Sequence, residues 1–177
     1  MMRRRVLQLL IVVWGILIVF YYGIKVLSEV ALDAANYDLA KTILFIELEL
    51  PFVSKERIVQ IEMDIAYCYS NLRNYSAAAE WYYKVIELEN RNIHALYYYA
   101  KNQERVGKCK QALDAISDAI DIRAYQLSIL YSDPTREITM RSLYELRYFV
   151  YICLDSTDLA RKDSLEILHL ESSSQHY

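Results

Sequence analysis

At 177 residues the chain has room for one modest domain and an appendage, and with only three Gly and two Pro it is expected to be mostly helical with short connections. Its net charge of −3 hides an asymmetry: setting aside Arg3, Arg4, Arg5 and Lys25 leaves 16 basic residues against 23 acidic ones, a formal charge of −7. That sign excludes nucleic acid as a partner, because phosphate backbones demand the opposite.

The N-terminal Met1-Met2-Arg3-Arg4-Arg5 is followed by an uncharged apolar run from Val6 to Ile24. At the helical rise it reaches about 28 Å, close to the hydrocarbon thickness of a bilayer. Its flank, Tyr21-Tyr22-Gly23-Ile24, puts bulky residues where a signal peptidase needs small ones, so an uncleaved signal anchor is expected rather than a cleaved signal peptide. Tyr21 and Tyr22 stand at the expected headgroup level. The Arg cluster predicts an N-terminus on the cytoplasmic or matrix side and a helical domain in the periplasm, a lumen or an intermembrane space. The alternative is an outer-membrane anchor with a cytosolic domain. Gly15 and Gly23 are too far apart for a small-xxx-small pairing signal.

Nothing breaks the helix between Lys25 and Asp33, which predicts one long helix from about Arg5 to Ala34. Asn36 and Asp38 turn the chain into a second helix that Pro51 stops. Ser54 caps a helix from Lys55 to about Leu72, and further helices follow over 75–89, 93–106 and 108–131. Gly107 is placed to close the helix before it. Asp133-Pro134 reads as a helix start leading to about Cys153, and a last helix is expected from Leu159 to His169. The organisation expected is an anchor over 1–25, a helical domain over 26–170 and a polar, frayed tail over 171–177.

Residues 59–122 carry one pattern twice at an offset of 34. Ala66 recurs as Ala100, Ala78 as Ala112, Ile86 as Ile120 and Leu88 as Ile122; Val85 is answered by Ala119 and Tyr75 by Cys109. Small residues at fixed positions let two helices approach closely, and such pairs bury their remaining apolar faces by stacking. On these residues the chain resembles the tetratricopeptide repeat (TPR) family, with the best repeats at 59–92 and 93–126. Tyr37 with Ala40, and Leu159, Ala160 and Ile167, suggest weaker relatives on either side. Two positions depart from the pattern: Asn90 and Ala124 stand where Pro is common, and Glu62 where a large apolar residue is usual. The resemblance implies an all-α fold, a right-handed α-solenoid of helical hairpins preceded by an N-terminal transmembrane helix.

The seventeen Tyr are then expected to fill helix seams. Cys68, Cys109 and Cys153 lack metal-ligand spacing; with Cys68 and Cys153 read as small apolar residues within helices, no disulfide is expected. His94, His169 and His176 have no partner at ligand spacing, and glycines only at 15, 23 and 107 exclude a phosphate-cradling loop or a Gly-x-Ser-x-Gly turn. No catalytic residue, cofactor, metal or small-molecule substrate is expected. What the resemblance implies instead is a concave groove lined by Gln60, Met63, Tyr67, Ser70 and Asn71, then His94, Tyr97, Lys101, Glu104 and Arg105. Of these, Met63, Tyr67, Asn71, His94, Tyr97, Lys101 and Arg105 are the candidate binding residues, with Lys101 and Arg105 one turn apart to hold a carboxylate. The expected function is an anchored protein–protein interaction scaffold, serving as assembly factor or accessory subunit of a membrane protein complex. The alternative is an anchored chaperone or receptor for unfolded or translocating polypeptides. An acidic domain is further expected to be repelled by anionic headgroups and to stand clear of the bilayer.

Overall fold

A computed structural model describes the backbone of residues 2–129 and 138–174, and the side chains of 12–127 and 138–172. All regular structure among the described residues is helical: α1 (Met2–Asp33), α2 (Tyr37–Leu48), α3 (Lys55–Asn71), α4 (Tyr75–Leu88), α5 (Ile93–Arg105), α6 (Cys109–Ile129), α7 (Met140–Cys153) and α8 (Thr157–Ser174). They divide into two units, one ending at Leu72 and the other starting at Arg73.

Helix starts follow the local chemistry. Unpaired amides of the first turn are taken by side-chain oxygens: Asn36 accepts from Leu39 N–H, Ser54 from Arg57 N–H, Asn74 from Ala77 N–H and Asn92 from Ala95 N–H. The Asp133-Pro134 start lies outside the described residues. Within them the helix begins later than expected, at Met140, where Thr139 and Ser142 form a reciprocal capping box. α8 also outlasts its expected end, reaching Ser174, with Glu171 held by Arg141 at 2.9 Å.

In the first unit α2 packs against both α1 and α3. α1 changes character along its length. Val12 to Phe20 is exposed throughout, whereas Ile24, Ser28 and Ala31 form a buried stripe at four- and three-residue spacing, the period of one helix face. The upper part of α1 is therefore the first member of a helix pair, and the lower part lines a groove with the α2–α3 loop. α1 is long and apolar enough to cross a membrane, the candidate span among the described residues being Val12–Asp33.

In the second unit each helix packs on the next, and α5 also touches α7. The small residues of the 34-residue pattern do what their spacing requires: Ala78, Val85, Ala100, Ala112 and Ala119 in this unit, like Ala66 in the first, are completely buried. Tyrosines fill the α4–α5 seam, with Tyr82 stacked on Tyr98 at 5.6 Å and Tyr83 tilted against Tyr99 at 5.7 Å. The core continues through Ile116, Ile120, Leu143 and Val150.

Two of the three cysteines are paired, contrary to expectation. Cys109 and Cys153 form a disulfide, their Cα atoms 6.2 Å apart and their sequence positions 44 apart. Each looks like an ordinary helix residue in sequence. The contact exists because α7 packs on the start of α6, outside the 34-residue rhythm. Cys68 is the buried free thiol, and burial pushes it up to about 11.

The turns after α1, α3, α5 and α7 share a feature that sequence showed only once. Ala35 (φ 54°), Arg73 (φ 60°), Gly107 (φ 76°) and Asp155 (φ 54°) all occupy the left-handed region. At three of them the next residue returns its N–H five residues back: Asn36 to Ala31, Lys108 to Gln103 and Ser156 to Tyr151, each at 2.9 Å. This is the Schellman closure, and glycine is its natural occupant.

Candidate functional site

The second unit presents a recess of about 210 Å³ between α5 and α7, walled by Tyr97, Lys101, Glu104 and Arg105 on one side and Ser142, Glu145, Leu146 and Phe149 on the other. The α5 residues reach it because positions 97, 101, 104 and 105 share one face at helical spacing. Four of the expected groove residues therefore share one site: the candidate binding residues Tyr97, Lys101 and Arg105, with Glu104 between them. The α7 wall was missed, since it lies outside the period that located the groove.

The details set what this recess can hold. Leu146 is buried and Phe149 stands 57% exposed, giving an apolar wall with open space before it. Burial, with the charge of Glu145 as a lesser cause, raises the Tyr97 phenol above its usual range, so it stays a neutral hydroxyl able to donate or accept. Glu145 accepts from Arg141 Nε at 2.7 Å, which holds the carboxylate at the rim. Lys101 Nζ lies 6.0 Å from the Tyr98 ring centroid. Arg105, expected to share a carboxylate with Lys101, instead turns to α4: its guanidinium sits 5.2 Å from the Tyr75 ring and donates to Tyr75 Oη at 3.3 Å. The recess is thus suited to an apolar side chain flanked by main-chain polar groups, with Lys101 as its cation.

His94 lies near the opposite end of α5, in a separate recess of about 260 Å³ with Arg91, Asn92, Arg123 and Gln126. Met63, Tyr67 and Asn71 belong to α3 in the first unit. There Tyr67 is exposed and edge-on to Tyr37 at 5.8 Å, and Asn71 Nδ2 donates to the Tyr67 carbonyl at 2.8 Å. Gln60 is engaged by Asp64 at 2.9 Å. Among the described residues no group of three or more His, Cys, Asp or Glu is placed to share a metal ion.

No family model matches the chain, and no curated protein sequence does. Solved structures do. A crystal structure of MamA superposes with a TM-score of 0.71 at 16% identity, covering 89% of this chain and 81% of that one. MamA AMB-1 gives 0.65 at 14%, covering 82% and 70%. A T3SS complex from Aeromonas hydrophila gives 0.54 at 12%, covering 82% and 83%. The fold is TPR-like. At these identities the likeness concerns architecture, and the TPR-like arrangement agrees with the completely buried alanines of the 34-residue pattern.

Proposed function

We propose that this TPR-like chain is a membrane-anchored protein–protein interaction scaffold, an assembly factor or accessory subunit of a membrane protein complex. The observation that carries this is the α5–α7 recess, where an exposed Phe149 faces Tyr97 and Lys101 across open space. Isolated aromatic anchors beside a polar rim are what helical grooves offer to a partner segment.

Two features support the anchor and the compartment. The exposed stretch Val12–Phe20 of α1 suits lipid and is costly in water. The Cys109–Cys153 disulfide persists in an oxidising compartment, which agrees with a helical domain in the periplasm, a lumen or an intermembrane space and an Arg cluster on the reducing side.

The test is purification of the full chain in mild detergent with a photo-crosslinking amino acid at position 149 and, as control, at exposed Glu87. Crosslinks from 149 to one or a few membrane-complex subunits are expected, lost in Tyr97→Ala/Lys101→Ala. Crosslinks to many unrelated nascent or unfolded chains would favour the chaperone reading instead. Elution alone under several conditions, with no adduct from 149, removes the scaffold reading.

A further inference from the structure

The first unit holds a groove of about 300 Å³ between the exposed part of α1 and the α2–α3 loop. Trp14, Leu17, Ile18 and Tyr21 form one wall; Leu50 and Phe52 form the other, with the Trp14 and Phe52 rings 5.4 Å apart. Phe52 is 64% exposed and Trp14 52% exposed. Neither is packed away, so the pair does not complete a core.

We infer that the Leu50-Pro51-Phe52 tip is a second membrane contact: it enters the outer leaflet beside the anchor, and lipid acyl chains fill the groove. This rests on the proposal that α1 crosses a bilayer. The position follows from registry. If Val6–Ile24 occupies the hydrocarbon, Trp14 lies about 16 Å along the helix axis from Lys25, roughly half the hydrocarbon thickness. A loop whose ring touches Trp14 then sits below the headgroups.

The uncharged sequence of the loop favours that environment. Between Glu49 and Lys55 the chain reads Leu50-Pro51-Phe52-Val53-Ser54, with no charge. Non-helical backbone in hydrocarbon is costly through its unpaired amides. Here Pro51 has no N–H to pair, and the Leu50 N–H is donated to the Glu47 carbonyl at 3.1 Å. The charged shoulders Glu49 and Lys55 limit how deep the tip goes. The groove is continuous with the lipid-facing surface of α1 and opens along it, which favours acyl chains as its occupant. Such a contact draws the first unit onto the bilayer, opposite to the repulsion expected from net charge.

The full chain, with Cys68→Ala, is reconstituted in phosphatidylcholine vesicles and spin-labelled at one site per sample: Phe52→Cys, Ile18→Cys within the anchor, or Glu87→Cys on α4. Accessibility to oxygen, which concentrates in lipid, is compared with accessibility to a water-soluble nickel chelate. The inference expects position 52 to match position 18, oxygen-accessible and nickel-protected, while 87 shows the reverse. A position 52 that behaves like 87 while 18 stays in lipid overturns the second contact and leaves the anchor standing. If 18 and 52 are both open to nickel, the anchor proposal fails as well. Protection of 52 from both reagents means that protein, such as a second copy, fills the groove, and the lipid assignment fails.

Discussion

Arg57 donates from Nε and Nη2 to the two carboxylate oxygens of Glu47, each at 2.8 Å, and Glu47 is completely buried. The hydrogen bonds raise the guanidinium above its usual value, and the two-pronged contact ties the end of α2 to the start of α3. Arg147 and Asp163 repeat the device between α7 and α8, at 2.9 and 2.6 Å. Removing one partner strands a buried charge. Arg57→Met is expected to lower stability by about 3–5 kcal/mol in urea unfolding followed by circular dichroism, while Glu47→Leu/Arg57→Leu recovers most of the loss. A mild single variant would show that water already solvates Glu47.

Asp64 supplies a pH test. Burial, its leading cause, lifts this carboxyl from 3.8 to about 6, against the lowering effects of the Gln60 hydrogen bond and Arg57. Because the folded value lies above the unfolded one, its stabilising contribution is full below about pH 4 and is lost as pH rises through 6. Asp64→Asn keeps an acceptor for Gln60 and removes the buried charge. It should gain roughly 1–3 kcal/mol at pH 7.5 and almost nothing near pH 4. A gain independent of pH points to packing rather than titration.

The disulfide has a measurable contribution. In the chain-entropy account, closing a loop of this size is worth about 4 kcal/mol as an upper figure. Cys109→Ala/Cys153→Ala should therefore lose about 2–4 kcal/mol against the oxidised protein, and reductant should destabilise the native chain but not the variant. Equal stability of all three forms would remove the bond from the fold's supports.

The left-handed turn positions make a paired prediction. Ala35→Gly and Arg73→Gly each relieve a Cβ in the left-handed region, and each should gain about 0.5–1 kcal/mol. Gly107→Ala reverses the chemistry and should lose about 1 kcal/mol, by strain alone, since a Cβ there meets open space. Thermal midpoints moving in the same direction for all three would contradict the shared closure.

Much of this architecture was legible from spacing. The α3 and α5 starts at Lys55 and Ile93, and the long α1, follow from caps and apolar period, which are local signals. Ala66 and Ala100 mark close helix approach because nothing larger fits there. The recess was legible on its α5 side only. Ser142, Glu145 and Phe149 come from a helix whose register no 34-residue offset reaches, and Arg105 turns away because the Tyr75 ring offers a nearer partner. The Cys109–Cys153 bond was hidden for a related reason: it depends on which helices become neighbours, and residue type alone does not encode that.

That bond also decides how the molecule responds to being cut. A single proteolytic nick between Cys109 and Cys153 leaves two polypeptides that remain one covalent object, with α6 still fastened to α7. In a protease-rich compartment such a clipped chain keeps its C-terminal hairpin attached to the helices before it, and the fragments part only when an electron donor reaches the bridge.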